Sequence, residues 1–484
     1  MIAGVFVLIG VPLVAAVVTF IFRRLQTLVA CVAAAVAAVL GAGALWLPLG
    51  QVVQVGGRQV ALGEPVQVLG RQLTLTGGDR QALGWVFLVS AALFLIGGRA
   101  RPGTAFFSLG LAILGLVSAA LVVQPFLYSA LLLTIAAILA AILVQGGTPG
   151  RTRGAFRYLV LMTLALPTFL IAGWLVDLYA INPTDTGLAR GVALALTGGF
   201  ALLLGVAPFH VWIGPMAEES PPIASVFVLA VVNSAVWFML FDILQAYPWL
   251  AAQPDIFRAM QLVGLLTAIV GGVLAFSSYD FAHVLGYGAL ADYGCALVAL
   301  STRTSSGLGV VMLATLMRPV GLTILALGMA LARERAHSSE FEKLSGLAWS
   351  SPWTATALIV GGFSVAGLPP LAGFVGRWAE VRLMAAAPPL VMDLPVYALA
   401  ILAVTVGVAA GALRGMDFLL AAPAHHAAAP APLASLRLAA REPRLMIALV
   451  MAVLAVGFIL GLFPGIVDAA LRAILSSYTF FSSP

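Results

Sequence analysis

The sequence predicts an all-α integral membrane protein, and three observations carry that reading. Of 484 residues, 62% are hydrophobic and only 9% are charged, with a mean hydropathy of +1.11. Soluble domains carry about 25% charged residues, so this chain has too few to face water over most of its surface. Uninterrupted apolar runs of about 18 residues or more recur along the whole length, each long enough to cross a bilayer as a helix. The short alternating segments of a membrane barrel are missing. A net charge of +6 does not mark a nucleic-acid partner, because the arginines are scattered singly between apolar runs. Cys31 and Cys295 lie inside such runs and fit buried thiols, with neither disulfide nor metal-ligand spacing.

Taken in order, hydropathy places spans near 2–22, 25–47, 81–98, 104–123, 125–144, 156–180 and 188–213. The second half adds 222–246, 256–276, 284–301, 306–332, 352–387, 393–414 and 444–463, about fourteen transmembrane helices in one polytopic domain, 1–484. The first run lacks a basic leader and reads as a retained helix rather than a signal peptide. Segment 352–387 is too long for one straight span and is interrupted by Gly367, Pro369 and Pro370, as 188–213 is by Pro208. Residues 51–80 are polar, with Gly56-Gly57 and Gly77-Gly78 bracketing runs such as Val66 to Thr76, and read as a small extramembrane hairpin. Residues 421–435 form an Ala/Pro linker in which His425 and His426 read as solvated, without a third ligand nearby in sequence.

Orientation follows from the basic residues in the loops. Loops after odd-numbered spans hold 14 Arg or Lys, including Arg24, Arg99 and Arg335, against 7 in the even loops and the C-terminal tail. Odd loops are therefore expected on the cytoplasmic side of the cell's inner membrane, with both termini opposite.

The interruptions fall in spans seven and twelve. Five spans apart is an odd number, so the two broken helices run in opposite senses. Paired broken helices in corresponding places point to an inverted repeat, here two five-helix units near 104–246 and 256–414. Unwound backbone at membrane depth has to be satisfied by protein or water and tends to line a hydrated path. The alternative is that each proline only kinks a packed helix.

Three motifs add a family resemblance. The stretch 208–222, PFHVWIGPMAEESPP, resembles the proline-histidine-tryptophan signature of the antiporter-like subunits of respiratory complex I and Mrp-type antiporters. The stretch 364–376, SVAGLPPLAGFVG, resembles their second broken helix, most nearly that of the N-type subunit. The stretch 280–294, DFAHVLGYGALADYG, is similar to a third family segment. The resemblance implies a relay of buried lysines and a glutamate along the middle of the membrane. Matched residue by residue, the glutamate position falls near Ala130, and the lysine positions on Leu203, Asn233 and Arg377. The chain's one lysine, Lys343, lies in a loop. A buried lysine can be tuned to exchange protons, whereas arginine stays charged, so the family relay is expected to be degenerate here.

The ionisable groups expected within the membrane are Asp177, His210, Glu218, Asp242, Asp292, Arg318, Arg377, Glu380 and Arg382. Such groups are costly there and functional by default. Arg377 and Glu380 are three apart on one helix and can pair; Arg318 and Asp292 sit on neighbouring spans and can pair across them. His210 alone has an ordinary titration range suited to proton exchange. These five form the candidate charge axis, either as a transport path or as structural pairs that lock helices together. Glu218 and Glu219 read as exposed, and Asp177 and Asp242 as snorkelling or capping groups near span ends.

No dinucleotide fingerprint, haem motif or iron–sulfur cysteine set is present, so no cofactor or metal is expected in this chain, and NADH and quinone would be handled by partner subunits. The resemblance implies a membrane-arm subunit of an NADH:quinone oxidoreductase-type complex, coupling electron transfer to proton translocation. The alternatives are an Mrp-type or hydrogenase-linked antiporter, an inorganic-carbon uptake module, or a non-conducting scaffold.

Overall fold

The computed structural model describes residues 2–46, 52–55, 58–61, 65–68, 70–100, 102–146, 152–386, 395–422 and 442–481. All but the first two residues of the 421–435 linker, with His425 and His426, lie outside the described residues.

The chain is a bundle of apolar helices: α1 (Gly4–Ile21), α2 (Gln26–Trp46), α3 (Gly77–Ala100), α4 (Phe106–Val122), α5 (Phe126–Gln145), α6 (Arg153–Ile181) and α7 (Thr186–Leu204). A single 3-10 turn (Phe209–Trp212) leads into the short α8 (Ile213–Glu219), followed by α9 (Pro222–Ala246). Then come α10 (Pro254–Phe276), α11 (Phe281–Leu300), α12 (Ser305–Ala336), α13 (Pro352–Ala366), α14 (Ala372–Ala385), α15 (Val396–Leu420), α16 (Arg444–Leu462) and the short α17 (Asp468–Leu475). Among the described residues, 12 helices are long and apolar enough to cross a membrane, the broken α7–α8 counted as one. Two further expected spans are occupied by shorter apolar helices, α4 with 17 residues and α13 with 15.

Local chemistry sets several of these starts. Asp185 caps α7 by accepting from the amides of Gly187 and Leu188, Asp280 caps α11 through Ala282, and Thr304 caps α12 through Gly307. Each side chain satisfies a donor that the first helical turn leaves open, which matters more where water is scarce.

The polar segment after α2 is more than one hairpin. β2 (Val52–Val55) pairs antiparallel with β3 (Arg58–Ala61), and β1 (Ile2–Ala3) joins β3 in parallel. β4 (Val66–Val68) and β5 (Arg71–Leu73) form a second hairpin, completed by β6 (Val123–Gln124) between α4 and α5. A strand from elsewhere in the chain pairs an edge that would otherwise stay open in each case, and that partner is invisible to a local reading.

Burial locates the core. α9 is buried along its whole length, α11 and α12 nearly so, while α1, α2, α6 and α16 lie at the periphery. The turn after α1 and the ends of α3 and α12 line one cavity with the start of α16, so all four lie at the same face of the bundle.

Candidate functional site

Four charged side chains, three of them buried and Asp292 partly exposed, meet where α11, α12 and α14 converge beside α9. Arg318 on α12 donates from Nε to Asp292 Oδ2 on α11 at 2.5 Å. Its Nη1 donates to Asn233 Oδ1 on α9 at 3.3 Å, and the guanidinium lies over the Tyr293 ring, 4.7 Å from the centroid. Arg377 on α14 donates from Nη1 to Glu380 Oε2 at 3.1 Å and places Nη2 3.7 Å from Asp292 Oδ1. Asp292 therefore joins the two pairs, one oxygen toward each arginine. Arg318, Arg377 and Glu380 are 7%, 4% and 0% exposed, a depth at which an isolated charge would be strongly disfavoured. With both acids ionised, the two arginines and two carboxylates sum to zero.

Neighbouring elements supply further contacts to this network. α9 widens into a π-helical turn over Phe227–Val232, and Tyr293 Oη donates to the Leu229 carbonyl inside it at 2.6 Å. Trp237 Nε1 donates to Asn233 Oδ1 at 3.1 Å, so that amide oxygen accepts from both tryptophan and arginine. A small cavity of about 30 Å³, room for about one water, adjoins the network, with Asp292, Arg318, Ser364 and Arg377 among its walls.

The two helix breaks are built alike. Gly205 ends α7 at φ +64° and Gly367 ends α13 at φ +81°, each followed three residues later by a proline, Pro208 and Pro370. Left-handed backbone is open to glycine at little cost and to other residues only under strain. Space makes the same demand: a Cβ on Gly205 would stand 2.7 Å from Trp212 Nε1, and one on Gly367 2.7 Å from Arg377 Cβ. In the second break the returning half-helix thus sets Arg377 directly on the glycine.

The other predicted groups are not in this network. His210 sits in the half-buried 3-10 turn after Pro208, and its Nδ1 makes no hydrogen bond; among the described residues it contacts none of the four charges through an ion pair or hydrogen bond. Pro208, Pro369 and Pro370 are exposed at the breaks, Asp177 is exposed on α6, and Arg382 is exposed near the end of α14 rather than buried. Glu218 is half-exposed with His283 Nε2 at 3.8 Å, while Glu219 accepts the Gly154 amide at 2.7 Å.

Asp242 is a correction. It neither snorkels nor caps. Its Oδ1 accepts from Tyr478 at 2.9 Å, and its carboxyl meets that of Asp79 at the wall of a cavity of about 670 Å³. The C-terminal tail folds back over the end of α9, a contact 236 residues distant that local hydropathy does not contain. Burial, then the Asp242 charge, pushes the Tyr478 hydroxyl's pKa well up, so it remains a donor.

The network lies inside residues 176–402, which match the family described as NADH:quinone oxidoreductase/Mrp antiporter, transmembrane. This segment is similar to the antiporter-like transmembrane domain of that family. Among curated relatives, the chain is 26% identical over 212 residues to NADH-quinone oxidoreductase subunit N of Acidithiobacillus ferrooxidans, covering 43% of each chain. To subunit N of Chromohalobacter salexigens it is 30% identical over 205 residues, 40% of this chain and 41% of that one. The matches thus span under half the length of these relatives. The fold likeness is longer. A chain of the archaeal membrane-bound sulfane sulfur reductase superposes with TM-score 0.81 at 16% identity, covering 99% and 98% of the two chains. A chain of the Mrp complex from Dietzia sp. gives 0.78 at 16%, covering 98% and 97%. One of respiratory complex I from Thermus thermophilus gives 0.73 at 20%, covering 98% and 100%.

Of the four positions matched from sequence to the family's relay, Arg377 carries a charge and sits in the network, while Ala130, Leu203 and Asn233 carry side chains that do not ionise. Ala130 is buried on α5. Leu203 and Asn233 line a cavity of about 10 Å³ with Tyr158, Trp212 and apolar side chains, and no acid, lysine, arginine or histidine lines it. Asn233, read from sequence as a lost relay position, instead holds Arg318. Its signal in the sequence was its polarity in an otherwise apolar run.

Proposed function

We propose that the chain is a membrane-arm, antiporter-like subunit of an NADH:quinone oxidoreductase-type assembly, in which proton translocation is driven by electron transfer in partner subunits. The curated relatives' names and the fold likeness over the whole chain support that placement. The observation that carries the rest is the Arg318–Asp292–Arg377–Glu380 chain of ion pairs. Two fixed cations stand there, each compensated by a carboxylate, where a relay needs groups that gain and lose protons. The chain's own lysine relay is degenerate in this reading, and its contribution is mechanical: it links neighbouring membrane subunits and transmits or braces their movement. NADH and quinone are met by partners only, and no cofactor is assigned to this chain.

The same reading divides the domain into inverted units near 104–246 and 256–414. The matching glycine-proline spacing at Gly205–Pro208 and Gly367–Pro370 supports it. It also places the arginine-rich loop ends on the cytoplasmic side of the inner membrane and both termini opposite.

Purification of the tagged full chain under mild solubilisation, followed by identification of its partners, tests the placement. Recovery with other membrane subunits of a quinone-linked complex is the expected result. Recovery with cation/proton antiporter subunits alone, or as a cation-transporting monomer, contradicts it.

A further inference from the structure

The arginine-rich face carries a site apart from the ion network. A cavity of about 750 Å³ opens where the turn after α1, the ends of α3 and α12, and the start of α16 meet. Arg24 and Arg99 line it with Leu28, Glu334 and Met446. Both arginines are exposed, and among the described residues neither side chain has an ion pair or side-chain hydrogen bond. Two guanidinium groups against one carboxylate leave the cavity net positive.

A second cavity, of about 500 Å³ and walled entirely by apolar residues, runs along the same helical hairpin. Phe6, Gly10, Val14 and Val18 line it at four-residue spacing, hence from one face of α1, together with Val32 of α2. Leu28 lines the first cavity and Val32, one turn further along α2, the second, so both open on one strip of that helix. From Phe6 to Val18 the groove runs about 18 Å, slightly more than the hydrocarbon of one leaflet at about 15 Å. Its walls are open to the surroundings, with Val14 65% exposed and Val18 45%.

We propose that this hairpin binds an anionic phospholipid, with the phosphodiester at Arg24 and Arg99 and an acyl chain in the groove of α1 and α2. Guanidinium groups fit phosphate oxygens in paired hydrogen bonds. A basic pocket between helix ends, at headgroup depth, is where such lipids are held. The charged cavity and the apolar groove are independent observations, and a lipid is the ligand whose two ends satisfy both. Inorganic phosphate shares the headgroup chemistry but has nothing to place in the groove.

The test uses the full chain with the partners it retains, delipidated and titrated with phosphatidylglycerol, phosphatidylethanolamine, phosphatidylcholine or inorganic phosphate. Thermal unfolding and the number of lipids retained by native mass spectrometry are the readouts. Phosphatidylglycerol is expected to raise the unfolding temperature at concentrations where the other three do not. Each arginine contributes about fivefold to affinity for an anionic surface, so Arg24→Gln with Arg99→Gln weakens phosphatidylglycerol binding about 25-fold. The lipid-free unfolding temperature stays unchanged, because both side chains are exposed and unengaged. Gly10→Phe, at a position with open space beside it, fills the groove and lowers retention with the arginines intact. Equal stabilisation by a zwitterionic lipid or by phosphate alone, or full phosphatidylglycerol affinity in the double arginine variant, overturns the proposal.

Discussion

At Asp292 the two carboxylate oxygens are divided between two arginines, Arg318 at 2.5 Å and Arg377 at 3.7 Å. Removing that charge leaves Arg318 with only Asn233, Tyr293 and a buried environment. Breaking one side of a buried pair costs about 3–5 kcal/mol, whereas replacing both partners by apolar groups of similar volume is close to neutral. Asp292→Asn is therefore expected to lower stability by about 3 kcal/mol, and Asp292→Leu with Arg318→Met to recover most of that loss. Denaturant titration of the purified assembly measures both; a single variant as stable as the parent contradicts the network's geometry. His210→Gln, at a half-buried position outside the network, is expected to change stability by less than about 0.5 kcal/mol in the same titration. Two contacts of the network were legible in the sequence. Arg377 and Glu380 share a helix face by spacing, and Arg318 and Asp292 are lone opposite charges on adjacent spans. The link from Asp292 to Arg377 was not, because it depends on how α14 returns after the break. Asp242 was misread for a similar reason: its partner, Tyr478, arrives from the far end of the chain.

The breaks are decided at the scale of the helix. Hydropathy and the prolines located both, and the family-like motifs around them gave their order. What the sequence left unread was the role of the glycine three residues earlier, which takes the left-handed turn and accepts a side chain from the returning half-helix. Gly367→Ala and Gly205→Ala are each expected to destabilise by at least about 1 kcal/mol, from the backbone penalty alone. Gly198, inside α7 with nothing within 4 Å of an added Cβ, supplies the opposite expectation. There alanine should stabilise by about 0.5–1 kcal/mol, since glycine is the poorer helix former. Unfolding of the three variants side by side checks this, and equal effects would remove the special status of the break glycines. The strands between α2 and α3 were only half legible: turn glycines marked a hairpin, but the strands that complete each sheet come from residues 2–3 and 123–124.

Across the whole molecule, α9, α11 and α12 are buried in the bundle, while α16 and one face each of α1, α2 and α6 remain apolar and open. Exposed apolar surface of this extent needs lipid or protein against it. The chain is accordingly expected to lose monodispersity when stripped of partners, as size-exclusion chromatography would register. Fold class and the order of spans followed from composition and run length, since a bilayer leaves few alternatives. The identity of the groups at its centre did not, because an arginine where a lysine is expected can equally mark a drifted surface or a locked core. The central claim is that the network locks the bundle and carries no proton. Its direct test is the proton-to-electron stoichiometry of the intact assembly after replacing the network as a unit: Asp292→Leu, Arg318→Met, Arg377→Met and Glu380→Leu. Unchanged stoichiometry with the assembly intact is the predicted result. A fall by the share of one full channel, with assembly and electron transfer preserved, would show that protons pass through these residues and would contradict the account.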